Sequence, residues 1–365
     1  MKNKIRYAGF GVLAVLWICL VCGAWFGKAE EISEAERRPL DQFPEITGES
    51  ILDGSFMSDF ESYTLDQFPL RDSFRQIKAL FHYNALNQSD NNGIYIADGY
   101  AVKQEYPLNE TSVNHALKRF NYLYEKYLTD SDVYMAVVPD KGYYLGAENG
   151  QLTMDYEALF AMVEAGMPWA THVDLTGTLN AESYYRTDTH WRQEMLLPAA
   201  SALCQALGVT SPVAEDYDRT ALERPFYGVY YGQAALPMEP DRLYYLESEL
   251  LAGCTVHNFE TGKTAAVYDM EKLESRDLYD VFLSGSAALL TIENPNAATD
   301  QELIVFRDSF GSAMIPLLVQ DYKTVTVIDI RYVAPEYLGQ LVDFHGQDVL
   351  LLYSTLVLNN SGVLR

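Results

Sequence analysis

Four short apolar runs govern what this chain can fold into: 133–138, 303–306, 325–330 and 349–353, all rich in Val, Ile, Leu, Phe or Tyr. A continuous apolar run of this length, closed by a turn residue such as Pro139, reads as a strand buried on both faces. Helical patterns lie before and between the runs, at 113–127, about 156–165, 192–207 and 310–320. Thr111 or Ser112 is the expected N-cap of the first. Pro198 should kink or restart the third, and Gly208 should stop it. A shorter strand is expected at 172–175. Strands alternating with helices predict an α/β fold with a parallel sheet.

The flanking segments have other patterns. Residues 29–54 carry Pro39 and Pro44 and are expected to be an irregular linker. Residues 55–86 have helical periodicity, interrupted at Gln67-Phe68-Pro69. Ile94 to Val102 reads as a hairpin, because Asp98-Gly99 suits a two-residue turn. Residues 210–300, rich in Tyr and acidic groups, show no clean alternation and are expected to be an insertion in a domain spanning 55–365. No internal repeat is apparent.

The N-terminus is a separate physical problem. Lys2, Lys4 and Arg6 precede an uncharged run from Tyr7 to Gly27, closed by Lys28. About 20 apolar residues at 1.5 Å rise reach about 30 Å, the thickness of a bilayer core. The positive charge lies before the run, and Glu30, Glu31, Glu34 and Glu36 come after it. That bias predicts a single transmembrane anchor within residues 1–28, with residues 29–365 outside the cell. The rival reading is a cleaved signal peptide, but its apolar core runs to 7–15 residues with a small-residue cleavage site. Both readings make the remainder extracytoplasmic, bound to the membrane or secreted.

The chain has 365 residues, 26 basic and 51 acidic, for a net charge of −25. So acidic a surface excludes sequence-independent nucleic-acid binding. It also disfavours polyanionic partners at long range. Cys19 and Cys22 lie in the apolar run, leaving Cys204 and Cys254 as the thiols beyond it. They could pair outside the cell, or serve as buried apolar residues.

Two segments could do chemistry. Arg186-Thr187-Asp188-Thr189-His190-Trp191 precedes a helix, and Phe306-Arg307-Asp308-Ser309-Phe310-Gly311 sits at a strand-to-helix junction. Ligand sites of α/β sheets form at the carboxyl ends of parallel strands. Backbone N–H groups at the start of the following helix suit the oxyanion of acyl transfer. Ser309 needs a base. Asp188 and His190, two apart, share a side in extended backbone, so the carboxylate can fix the imidazole tautomer. Each segment has a bland reading as well: Asp308 or Ser309 as a helix N-cap, Asp188-x-His190 as a surface turn or a metal-ligand pair. No other His/Cys/Asp cluster has ligand spacing, so neither metal nor cofactor is expected. Asp343 and His345 repeat the spacing without any further feature.

Thr-Asp-Thr-His-Trp followed by Asp-Ser-Phe-Gly resembles the alginate O-acetyltransferases and their SGNH-hydrolase-like relatives. The fuller resemblance is to the bacterial DHHW family. It is carried by Glu36-Arg37-Arg38-Pro39 with Phe43-Pro44, Leu52-Asp53-Gly54-Ser55-Phe56, Asp66-Gln67-Phe68-Pro69-Leu70-Arg71 and Gly93-Ile94-Tyr95-Ile96. Val138-Pro139-Asp140-Lys141 and Ile328-Asp329-Ile330-Arg331-Tyr332 complete it. Thr189 stands where DHHW relatives carry the first His of Asp-His-His-Trp.

The resemblance implies an SGNH-hydrolase-like three-layer α/β/α fold with Ser309 as nucleophile, His190 as general base and Asp188 as its orienting carboxylate. Arg307 replaces the usual glycine before Asp-Ser. Lys141, Arg186 and Arg307 are candidates for holding substrate or oxyanion, with structural ion pairs as the alternative. Tyr227, Tyr230 and Tyr231, with Tyr244 and Tyr245, could form a platform for sugar rings. The expected activity is O-acyl transfer, acetyl first, to or from a cell-envelope polysaccharide, with a membrane O-acyltransferase partner as acyl donor. A carbohydrate esterase and a catalytically idle glycan-binding or assembly scaffold are the alternatives.

Overall fold

The computed structural model describes residues 2–33, 35–214 and 216–365; the side chains of residues 2–6, 8, 25, 26 and 214 also lie outside the described ones. The charges at 2, 4, 6 and 34, which set the expected orientation in a membrane, therefore fall outside that description. The chain divides into two compact units, Met1–Asn92 with Tyr231–Pro237, and Gly93–Tyr230 with Met238–Arg365.

The first unit holds a helix at Lys2–Phe26 and two more, Ser55–Asp66 and Arg71–Asn84, separated at the expected interruption. Among the described residues no helix is long and apolar enough to cross a membrane. The segment expected to be irregular contains a short pair, Ile32–Ser33 with Arg38–Pro39, and a helical turn at Gly48–Leu52 capped by Thr47. Proline is tolerated there because a two-strand pair leaves one edge unbonded. Arg38 forks onto both oxygens of Asp66 at 2.8 and 2.6 Å, and Arg71 and Arg75 both reach Glu36. The Arg38 hydrogen bonds hold the Asp66 carboxyl below its ordinary range. Arg75 also donates to the Gly232 carbonyl and Asn91 to that of Ala234, which ties 231–237 into this unit.

The second unit is built on an eight-stranded sheet, labelled in chain order β1 Val133–Val138, β2 Thr171–His172, β3 Thr255–Asn258, β4 Thr264–Ala266, β5 Leu289–Glu293, β6 Gln301–Arg307, β7 Tyr322–Ile328 and β8 Asp348–Ser354. Their order across the sheet is β4-β3-β5-β7-β6-β8-β1-β2. The run from β7 to β2 is parallel; β5, β3 and β4 are antiparallel. The fold is thus α/β with a mostly parallel central sheet. Successive residues of the central strands enter opposite cores: Leu303, Val305, Leu350 and Leu352 pack with the helix Leu197–Leu207, while Ile304, Phe306, Val349 and Leu351 pack with Glu110–Leu123 and Tyr156–Gly166. Burial on both faces explains their continuous apolar runs.

Several boundaries differ from expectation. Asn109, not Thr111 or Ser112, caps the Glu110 helix through the Ser112 N–H; Ser112 turns instead to Leu358 and Ser361. The third helix restarts at Leu197 with Pro198 in its first turn, where a missing N–H costs nothing. Pro316 likewise divides the segment after Ser309 into Gly311–Met314 and Ile315–Leu318. The larger correction concerns residues 210–300. They are not only an insertion, because β3, β4 and β5 extend the central sheet. β3 and β4 are short, with Val256 buried between exposed neighbours, and Thr291 interrupts the apolar run of β5 after Leu290.

Candidate active site

β6 ends at Arg307, and the buried Asp308 organises the turn that carries Ser309. Asp308 Oδ1 accepts the Phe310 N–H at 3.0 Å; its Oδ2 accepts the Ser354 N–H at 2.8 Å and the Ser354 hydroxyl at 2.6 Å. Ser354 ends β8, so one carboxylate locks the turn to the neighbouring parallel strand. The Gly311 N–H donates to the Asp308 carbonyl and the Ser312 N–H to that of Ser309. The helix start therefore offers no cluster of open donors, contrary to expectation. Among the described residues the Ser309 N–H is left without a hydrogen bond.

The segment 184–191 folds back on itself. Tyr184 and Trp191 form a bridge, and the Tyr185 N–H donates to the His190 carbonyl at 3.1 Å. Asp188 and His190 are brought together by a bend, not by extended backbone. Asp188 Oδ1 accepts both the His190 backbone N–H at 3.0 Å and Nδ1–H at 2.7 Å. With its proton on Nδ1, the imidazole presents Nε2 as an acceptor. That atom lies 2.8 Å from Ser309 Oγ, across 119 positions of sequence. Carboxylate, imidazole and hydroxyl thus form one continuous hydrogen-bonded line, the geometry by which a base takes a serine proton.

The line has further supports. Asp188 Oδ2 accepts the Val229 N–H at 2.8 Å. Gly228 is pressed against the same residue: a Cβ there would lie 2.3 Å from Asp188 Cα. Asp241 accepts the Arg186 and Thr187 N–H groups and the Thr187 hydroxyl. Trp191 Nε1 donates to the Phe310 carbonyl at 2.9 Å, tying the histidine segment to the serine turn. Tyr279 lies flat on the imidazole, ring centroids 3.9 Å apart and planes 9° from parallel.

The other expected residues fare differently. Lys141 is buried and donates to the Tyr185 carbonyl at 2.9 Å, its Nζ 5.0 Å from the Tyr230 ring centre. Burial pushes its ammonium down to about 7, against the attraction of Asp188, Asp241 and Asp140. Arg307 is fully buried and donates to the Gly285 carbonyl at 3.1 Å, with Asp329 at 3.9 Å. Both are committed to the protein backbone, and the hydrogen bonds of neither include Ser309. Arg186 is exposed, its guanidinium 5.8 Å from the Tyr100 ring centre. The tyrosines have different surroundings: Tyr230 is buried with its hydroxyl on Thr189, Tyr227 is half exposed, and Tyr231 belongs to the first unit. Tyr244 has the Arg219 guanidinium 4.2 Å from its ring centre, and Tyr245 is buried. Cys204 and Cys254 are free and buried. Among the described residues no group of three or more His, Cys, Asp or Glu is placed to hold a metal ion.

Tyr279, Asp241, Gly228 and Val229 were not legible as site residues. Each reaches the site from a distant segment and carries no local pattern. Asp308 was legible, though only as a helix cap.

Comparison with known proteins bears on the same stretch of the chain. The DHHW protein family matches residues 173–328, which contain Asp188, His190 and Ser309. A search of curated proteins finds no match. A DHHW family protein from Eubacterium siraeum is similar at 23% identity, over 75% of this chain and 95% of that one, with a TM-score of 0.58. Bacillus cereus PatB1, solved with a sulfonyl adduct, is similar at 17% identity over 73% and 95% of the two chains, with a TM-score of 0.56. The O-acetyltransferase domain of Pseudomonas putida AlgJ stands at 15% identity over 73% and 92%, with a TM-score of 0.45. At these identities the likeness to the first two is one of fold. The resemblance first carried by scattered motifs is thus shown: the chain bears the sequence signature of DHHW proteins over residues 173–328 and shares their fold.

Proposed function

We propose that this protein moves or removes an O-acyl group, acetyl first, on a cell-envelope polysaccharide through an acyl-serine intermediate. The observation that carries the reading is the Asp188–His190–Ser309 line, with contacts of 2.7 and 2.8 Å. In the first half-reaction Ser309 Oγ attacks the acyl carbonyl and its proton passes to His190 Nε2. Asp188 stabilises the imidazolium through Nδ1–H. The carbonyl oxygen becomes an oxyanion within reach of the Ser309 N–H. Collapse expels the donor's alkoxide, which takes the proton from Nε2 and leaves the acyl group on Ser309. In the second half, His190 deprotonates a sugar hydroxyl or water, that oxygen attacks the acyl carbon, and Ser309 Oγ leaves with the proton. A sugar acceptor makes the protein a transferase; water makes it an esterase.

Localisation belongs to the same proposal. The uncharged run from Tyr7 to Gly27 anchors the chain with its N-terminus cytoplasmic, and residues 55–365 work outside on an envelope glycan. A membrane O-acyltransferase then supplies acyl groups from across the bilayer. The anchor is tested by carbonate extraction and external protease; a soluble form beginning near Glu30 would contradict it.

Sulfonyl electrophiles capture activated serine nucleophiles. The test is therefore purified protein with a sulfonyl fluoride, and separately with an activated acetyl ester, read by intact and peptide mass spectrometry. One adduct is expected, on Ser309, absent in Ser309→Ala. A folded wild-type protein that takes up neither group would overturn the acyl-serine mechanism. Adding glycans then separates transfer from hydrolysis.

A further inference from the structure

One segment touches His190 directly and reaches the Ser309 turn through Arg307. The short 3₁₀ turn Leu278–Val281 carries Tyr279. Its ring lies 3.9 Å from the imidazole and nearly parallel to it, and Phe310 flanks the same imidazole at 5.1 Å. Four residues later the backbone enters an unusual conformation. Leu283, Ser284 and Gly285 have φ values of 52, 59 and 80° in succession. Left-handed backbone disfavours L side chains, so Leu283 and Ser284 hold conformations that the surroundings must enforce. Those surroundings are specific. Ser284 Oγ donates to Asp269 Oδ2 at 2.7 Å, the Leu283 N–H to the Val267 carbonyl at 3.0 Å, and the Gly285 N–H to the Phe282 carbonyl at 3.1 Å. A Cβ on Gly285 would lie 2.3 Å from Asp280 Oδ1.

The enforced conformation aims the Gly285 carbonyl at Arg307. The buried guanidinium donates to the Gly285 carbonyl at 3.1 Å and, at 3.4 Å, to the carbonyl of Asp308, the residue before the serine. Asp329, itself forked by Arg331, balances its charge.

We propose that the segment Leu278–Gly285 is the positioning element of the reacting pair, with Tyr279 holding the His190 ring and Gly285, through Arg307, holding the Ser309 turn. The inference rests on the acyl-serine reading for its consequence but not for its geometry. Tyr279 and Arg307 are positioning residues: neither has to touch substrate. A parallel aromatic face confines the imidazole to the plane in which Nδ1 meets Asp188 and Nε2 meets Ser309. It also faces the imidazolium that forms during attack.

The experiment compares wild type, Tyr279→Phe and Tyr279→Leu, with melting temperature as the control for folding. The first readout is the rate of sulfonyl labelling at Ser309. Tyr279→Phe keeps the ring and should label within about 2-fold of wild type; Tyr279→Leu should be slower by about 10-fold or more. The second readout is the proton NMR spectrum of His190. Ring-current shifts of its C–H protons and the Nδ1–H signal should persist in Tyr279→Phe and be lost in Tyr279→Leu. A folded Tyr279→Leu protein with the wild-type labelling rate, or with an unchanged His190 spectrum, would overturn the proposal. If wild type itself is not labelled, the acyl-serine reading fails, while the spectra still decide whether Tyr279 holds the ring.

Discussion

Lys141 offers a sharp test of the electrostatics beneath the site. It is buried, its ammonium pushed from 10.5 down to about 7, with desolvation the largest cause. Each pK unit is worth about 1.4 kcal/mol, so holding the charged form costs the folded state about 5 kcal/mol. The sign comes from proton counts. Between about pH 7 and 10.5 the unfolded chain keeps a proton on this lysine that the folded chain has released, so stability rises with pH in that window. Below about pH 7 both states are charged and the full cost is present. Lys141→Met removes this dependence. It also leaves the Tyr185 carbonyl without its donor, a loss of about 1–3 kcal/mol that does not vary with pH. Urea unfolding of both proteins from about pH 6 to 9 should therefore show wild type gaining about 2–3 kcal/mol on the variant, nearly all of it above pH 7. Parallel stability curves would refute the reasoning and mean that Lys141 stays charged across the range.

Asp188→Asn keeps the shape but can impose the wrong tautomer; the corresponding change in a serine protease costs about 10⁴ in rate. A loss of about 10²–10⁴ in labelling is expected here, and adding His190→Ala should do little more, since the residues act as a unit. Gly228→Ala, whose new Cβ meets Asp188 Cα, should destabilise by about 1–3 kcal/mol and slow labelling; a neutral result would mean that the 228 loop yields freely. Burial pushes the thiols of Cys204 and Cys254 up to about 12 and about 11, so iodoacetamide near pH 8 should modify them only after unfolding, and reductant should leave the melting temperature unchanged.

How legible each residue is in the sequence depends on how it is constrained. β1, β6, β7 and β8 are buried on both faces and announce themselves as apolar runs. β3 and β5 lie outside the parallel core; β3 alternates and β5 is broken by Thr291, so neither announces itself in this way. Asp188, His190 and Ser309 were legible because acid–base chemistry needs rare residue types at the ends of elements. Asp188 and His190 meet through the bend at 188–190, not through an extended strand. Tyr279 and Arg307 show the limit. An aromatic residue in a Tyr-rich stretch has no local signature, and Arg307, a sequence candidate for holding substrate or oxyanion, donates instead to the Gly285 carbonyl, a contact that exists only once the fold has brought 285 to 307.

The strand made last, β8, is not at an edge. It lies between β6 and β1, bonded to both, and its terminal Ser354 holds Asp308. A ribosome or an export channel delivers this chain from the N-terminus, so β1 waits without its inner neighbour while more than half of the polypeptide emerges. Until then two partial sheets have open flanks, and the serine turn lacks the strand that fixes it. Closure of the sheet is thus a single event that waits for β8. A chain cut shortly before 348 would be left with two sticky half-sheets, fit for degradation. The same arrangement delays the fixing of the Ser309 turn until Ser354 is in place.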